Sequence, residues 1–106
     1  MDYTVIIPLY NECEILKFLY KRIKPVLDSL SVNYEIIFVN DGSTDTSYLE
    51  LKEIAVSDNS VRVISFRENA GQHKAVVAGI LQARGRYIIT IDADLQNPPE
   101  EIPRLL

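Results

Sequence analysis

Four short runs of β-branched and aromatic residues, each separated from the next by a segment of helical period, constrain this chain more than any other feature. The runs begin at Tyr3, Tyr34, Val61 and Tyr87, at intervals of 31, 27 and 26 residues. Those intervals match the roughly 30 residues of a strand–helix–strand unit. Tyr3 to Pro8 reads as a strand, and Ile15, Leu19, Ile23, Leu27 and Leu30 then recur on one face of a helix from Glu14 to Leu30. Pro25 lies inside that helix and predicts a kink or an early break, because proline removes a backbone donor and crowds the preceding turn. Tyr34 to Asn40 is almost continuously apolar, the mark of a strand buried on both faces. Asp41-Gly42-Ser43 closes it, and Ser43 or Thr44 is the expected cap of a helix running to about Ser57. Tyr48, Leu51, Ile54 and Ala55 form the apolar stripe of that helix. Val61 to Phe66 is the third strand. The helix after it, about Gln72 to Ala83, is apolar nearly all round and predicts burial on every side, with Gly79 permitting a close approach. Tyr87 to Ile91 is the fourth strand, and Glu100 and Glu101 sit where the first turn of a further helix favours acids.

Repeats of this kind predict an α/β fold with a Rossmann-like parallel sheet flanked by helices. Right-handed crossovers and the common winding give the strand order 3-2-1-4. Strands one and four then lie side by side while their chains leave in opposite directions, which makes their carboxyl ends the expected ligand crevice. Pro8-Leu9-Tyr10-Asn11-Glu12, Asn40-Asp41-Gly42-Ser43 and Asp92-Ala93-Asp94-Leu95-Gln96 are delivered to that edge.

Hydrophobic residues make up 47% of the chain and charged residues 25%, which suits a globular core and excludes a disordered one. Eleven Lys and Arg against 15 Asp and Glu leave a net charge of −4, so nothing neutralises a nucleic-acid backbone. The single cysteine, Cys13, makes no internal disulfide, no signal-peptide pattern precedes the first strand, and no apolar run reaches the roughly 20 residues of a membrane span. A soluble chain in a reducing, cytoplasmic compartment is expected.

Asp92 and Asp94 stand two apart at a strand end, so in extended geometry their carboxylates share a side, and Gln96 adds a third oxygen there. Oxygen donors alone select a hard divalent cation, Mg2+ or Mn2+, completed by water and phosphate oxygens. The plain alternative is a solvated acidic turn. Two adjacent carboxylates repel unless a cation compensates, and their delivery to the crevice favours the metal. Neither Gly-x-x-x-x-Gly-Lys-Ser/Thr nor Gly-x-Gly-x-x-Gly follows the first strand, so a glycine nest does not cradle phosphate here. Tyr10, Glu12 and Asp41 offer a ring and acceptors to a base and ribose, although each has an ordinary reading as packing aromatic, first-turn acid or turn former. His73 is the sole histidine and reads as structural or near a phosphate. Cys13 reads as incidental, and Arg67 and Lys74 flank the loop after strand three within reach of a phosphate.

Together, Pro8-Leu9-Tyr10-Asn11-Glu12, Asn40-Asp41-Gly42-Ser43-Thr44-Asp45, Asn69-Ala70-Gly71-Gln72-His73 and Asp92-Ala93-Asp94-Leu95-Gln96-Asn97-Pro98-Pro99-Glu100-Glu101 resemble the amino-terminal half of a family 2 glycosyltransferase with a GT-A fold. Within that family, Asp-Ala-Asp-Leu-Gln and Gly-Gln-His are similar to the polyprenyl-phosphate branch. The resemblance implies a nucleotide pocket lined by Pro8, Tyr10 and Glu12, with Val39 and Asp41 at the base. It implies Asp92 and Ala93 at the ribose and diphosphate, and Asp94 and Gln96 on the metal, with Asp92 a further candidate ligand. The implied reaction moves a sugar, with inversion, from a nucleotide-diphosphate donor to a polyprenyl phosphate on the cytoplasmic side of a membrane. Acceptor-side residues are then expected beyond Leu106, so residues 1–106 are expected to be a donor-binding part, inactive alone. A homo-oligomer is compatible with this reading. Other readings are a non-catalytic nucleotide-binding module, a family 2 transferase with a saccharide acceptor, and a phosphatase of the haloacid-dehalogenase type. The phosphatase motif belongs on a first strand and lacks the glutamine found here at Gln96.

Overall fold

A computed structural model describes residues 1–93 of the chain. In chain order the elements are β1 (Tyr3–Leu9), α1 (Cys13–Ser29), β2 (Tyr34–Asn40), α2 (Ser47–Ser57), β3 (Val61–Ser65), α3 (Gln72–Gln82) and β4 (Tyr87–Thr90). The four strands form one parallel sheet in the order β3-β2-β1-β4, as expected. β1 is thus a central strand, paired with β2 on one side and β4 on the other.

Alternation along the strands divides the core into two layers. Val5, Ile7, Leu9, Ile36 and Phe38 point to the face covered by α1 and α2, where they meet Leu16, Leu19, Ile23, Leu27, Leu51 and Ile54. Ile6, Ile37 and Val39 point the other way and meet Ala75 of α3. Handedness explains the division: β1 to β2 to β3 winds in one direction, and the return to β4 reverses it, so right-handed crossovers put α3 on the opposite face. A Cβ at Gly79 would lie 2.7 Å from Ile6 Cγ2, so the glycine is what lets α3 lie so close to β1.

Three expectations need correction. Of the kink or early break expected at Pro25, the break does not occur: α1 runs through Pro25 to Ser29, with Pro25 exposed on its solvent side while the buried stripe continues to Leu27. Neither Ser43 nor Thr44 caps α2, which begins at Ser47 with Thr46 at the cap position. Ser43 Oγ accepts instead from the Asn11 N–H at 2.9 Å, and the Thr44 N–H donates to Asn11 Oδ1 at 2.8 Å. α3 is not buried all round: Ala75 and Gly79 are enclosed, but Ile80 is 44% and Leu81 77% exposed. Among the described residues only one side of α3 meets other elements, and an apolar composition cannot say how many sides will.

At the amino ends of the strands, buried Glu35 organises the turn into β4. Its carboxylate accepts from Thr4 Oγ1 at 2.7 Å, the Arg84 N–H at 2.7 Å and Arg62 Nη1 at 2.8 Å. Burial works against the charge, but these donors outweigh it and hold Glu35 below its ordinary value. Asp58 is partly buried, accepts from Tyr20, Ser60 and Lys24, and is also held well below the carboxylate range. Replacing Glu35 with Ala strands the Arg62 charge and the Arg84 N–H, and should lower unfolding stability by about 3 kcal/mol in urea melts. Acid should act in the same direction. Carboxylates whose folded values are depressed stabilise the fold above their unfolded value of about 4 and lose that contribution as pH falls through the folded value. Urea midpoints should therefore drop between about pH 4 and pH 2, and an Asp58→Asn variant should show a shallower acid limb.

Candidate functional site

Pairing of β1 with β2 continues to Leu9 opposite Asn40, whereas pairing with β4 ends at Ile6 opposite Thr90. The last contact on the β4 side is the Ile91 N–H donating to Ile6 O at 3.0 Å. Alternate residues of a parallel strand address opposite neighbours, so Pro8 has the parity of Ile6 and faces the β4 side. Proline has no N–H to offer there. β1 and β4 therefore part at Pro8 without orphaning a donor, and an open cleft of about 330 Å3 begins. Its lining is Pro8, Leu9, Tyr10, Glu12, Asp41, Asn69, Gly71, Gln72, Asp92 and Ala93.

Each wall is held by a particular interaction. Asn11 sits at φ 52°, a left-handed conformation that asparagine tolerates, and its amide oxygen accepts from the Thr44 and Asp45 N–H groups. The Cys13 N–H donates to Asp45 Oδ2 at 3.3 Å. The β1–α1 and β2–α2 loops are thereby locked together, with Tyr10 exposed and Glu12 half-buried at the cleft. Burial opposes ionisation of Asp45, but bonds from Ser47 and Cys13 prevail and bring it down to about 2. In turn Asp45 pushes the Cys13 thiol up, so this cysteine is no activated nucleophile.

Asp41 follows β2 and is 4% exposed. Its Oδ1 accepts from the Ala70 N–H at 2.7 Å, and its Oδ2 from the Gly71 N–H at 3.0 Å and Asn69 Nδ2 at 3.1 Å. The carboxylate thus straps the β3–α3 loop to the end of β2. Gly42 makes the strap possible: its φ is 71°, and a Cβ there would lie 2.3 Å from the backbone of Glu68 and Asn69. Across the cleft, Gln72 Nε2 donates to Asp92 Oδ1 at 2.7 Å.

Of the residues expected at a nucleotide pocket, Pro8, Tyr10, Glu12, Asp41, Asp92 and Ala93 line this cleft. Val39 does not. Its side chain is fully enclosed in the core with Ile6, Ile37 and Ala75, because strand alternation turns it to the α3 face. Asp94 and Gln96, expected on a metal, lie outside the described residues. Among the described residues no group of three acids, histidines or cysteines is placed to hold a metal. Arg67, His73 and Lys74 are exposed and absent from the lining. Asn69, Gly71 and Gln72 also line the cleft; they belong to the run Asn69 to His73 that carries part of the family resemblance, and residue type alone assigns them no role.

The chemistry of the lining is acidic: Glu12, Asp41 and Asp92 are present, and no Lys or Arg among the described residues. Such a cleft offers acceptors to hydroxyl and amino groups, and it admits an anion only with a compensating cation.

Comparisons with known proteins agree with this fold. The family model described as "Glycosyl transferase family 2" matches residues 4–106. The undecaprenyl-phosphate 4-deoxy-4-formamido-L-arabinose transferase of Proteus mirabilis is 51% identical over 97% of this chain, and that of Pseudomonas fluorescens is 49% identical over the same share. The chain spans 32% and 30% of those relatives' lengths. Among solved structures, glucosyl-3-phosphoglycerate synthase from Mycobacterium tuberculosis in complex with UDP superimposes with a TM-score of 0.73 at 28% identity, over 96% of this chain and 37% of that one.

Replacing Asp41 with Ala leaves the Ala70 and Gly71 N–H groups without an acceptor, and should cost about 2–3 kcal/mol of stability in urea melts. Asp41→Asn keeps one acceptor oxygen and should cost about half as much.

Proposed function

The chain belongs to glycosyl transferase family 2, and from that premise we propose that its cleft binds the nucleoside-diphosphate part of a sugar donor with Mg2+ or Mn2+. The observation that carries this reading is the acidic lining where β1 and β4 part. A base and ribose are neutral and rich in donors, so Glu12 and Asp92 suit them, with Asp41 holding the wall beside them and the ring of Tyr10 and the flat face of Pro8 as apolar walls. A diphosphate brings negative charge into the same acidic space, and only a cation reconciles the two.

Asp92 is the described residue that fits such a cation: a hard oxygen donor at a strand end, with its Oδ1 already oriented by Gln72. Asp94 and Gln96 would complete the protein's share of an all-oxygen ligand set. When bound, the metal supplies electrostatic stabilisation of the charge that gathers on the departing diphosphate. The strap from Asp41 and the lock at Asn11 keep the walls in place, so donor binding costs little reorganisation.

The named relatives are undecaprenyl-phosphate transferases, which supports a polyprenyl phosphate as acceptor in the whole protein, at the cytoplasmic face of a membrane. Inversion follows from a single displacement: an acceptor phosphate oxygen forms the bond to the anomeric carbon as its bond to the diphosphate oxygen breaks on the opposite face. A phosphate acceptor is already anionic and so needs no general base to remove a proton.

Calorimetric titration of the chain with UDP, GDP, CDP and TDP, each with Mn2+ and with chelator, tests the donor reading. One base should be preferred, and the metal should strengthen its diphosphate at least tenfold. Asp94→Asn should abolish that metal dependence with the fold intact by circular dichroism, and an unchanged affinity would sink the assignment of the cation.

A further inference from the structure

Gln72 is the first residue of α3, and its place is set from behind. Gly71, at φ 102°, turns the chain into the helix, and its N–H is held by Asp41 Oδ2. The start of α3 is thereby tied to the carboxyl end of β2. From this anchored position the Gln72 side chain reaches the loop after β4, and its amide nitrogen donates to Asp92 Oδ1 at 2.7 Å. One continuous chain of bonds runs from Asp41 through Gly71 and Gln72 to Asp92, joining two strand ends that do not pair with each other.

The donor type matters. A Lys or Arg at this position would neutralise Asp92 and compete with a cation for it. A primary amide holds one carboxylate oxygen in place, leaves the negative charge intact and leaves lone pairs for another partner. Outer partners of this kind orient metal-binding carboxylates, and their loss weakens metal affinity by about 10- to 100-fold. Gln72 and Asp92 both line the cleft, so the bond between them lies at the edge of the space a ligand would occupy.

We infer that Gln72 is a positioning residue, which fixes the Asp92 carboxylate for recognition of a divalent cation and the diphosphate it accompanies. This inference rests on the donor reading above. It separates two parts of one ligand: loss of the Gln72 amide should weaken the cation-dependent contacts and spare those to the base.

The test is calorimetry on the full chain and two variants, Gln72→Ala and Gln72→Met, the second keeping the volume without the donor. The probes are UDP and uridine, or the corresponding pair for whichever base the wild type prefers, each with Mn2+ and with chelator. Both variants should bind the nucleoside within twofold of wild type and the diphosphate with Mn2+ about tenfold more weakly, the difference vanishing in chelator. Melting temperature should be unchanged, since the side chain is exposed. Equal losses for nucleoside and diphosphate, recovery in Gln72→Met, or wild-type affinity in both variants would each overturn the positioning role while leaving the donor reading standing. A wild-type chain that binds none of the diphosphates with metal would refute the donor reading and this inference with it.

Discussion

β1 carries the constraint on which the other features depend. Among the described residues it is the one strand with a neighbour on both sides whose pairings end at different heights, at Leu9 on the β2 side and at Ile6 on the β4 side. A strand end that stops short leaves backbone groups to be satisfied, and an unsatisfied buried donor is costly. Pro8 removes the difficulty by having no donor at the position where β4 is missing. The reversal of winding between β1 and β4 thus becomes a cleft rather than a defect, and the loops after β1, β2 and β4 converge on it.

Around that opening, carboxylates do two kinds of work, and their surroundings decide which. Asp41 and Asp45 spend their charge on backbone N–H groups of neighbouring loops, fixing the walls. Asp92 receives one amide and sits in the lining. At the far end of the sheet, Glu35 collects Thr4, Arg62 and the Arg84 N–H and serves the fold alone. For Glu35 and Asp45 the donors outweigh burial, which by itself would raise their pKa values, and hold both carboxylates below their ordinary range.

Strand order, the elements of residues 1–93 and the crevice were legible in the residues because they follow from period and handedness, while the further helix expected at Glu100 and Glu101 lies outside the described residues. A near-continuous apolar run at Tyr34 to Asn40, a helical period over Ile15 to Leu30 and a right-handed crossover leave few topologies open. Local capping was not legible. Ser43 and Thr44 are good caps, but Asn11, 32 and 33 residues away, draws both into a contact between loops: its backbone N–H donates to the Ser43 hydroxyl, and its side-chain oxygen accepts from the Thr44 N–H. Nor does propensity decide Pro25, which is tolerated within α1 on the helix's solvent side.

The chemistry of the site divides in the same way. Residue type and chain position were enough to place Tyr10, Glu12, Asp41 and Asp92 at one sheet edge, because that placement depends on which strand ends meet. The partners of each side chain came only from tertiary contact. Val39 turned into the core, Asp41 became a strap for a loop 29 residues away, and Gln72 found Asp92 across the cleft. Such pairings are set by distances of a few ångströms between segments remote in sequence, and no local pattern of residues encodes them.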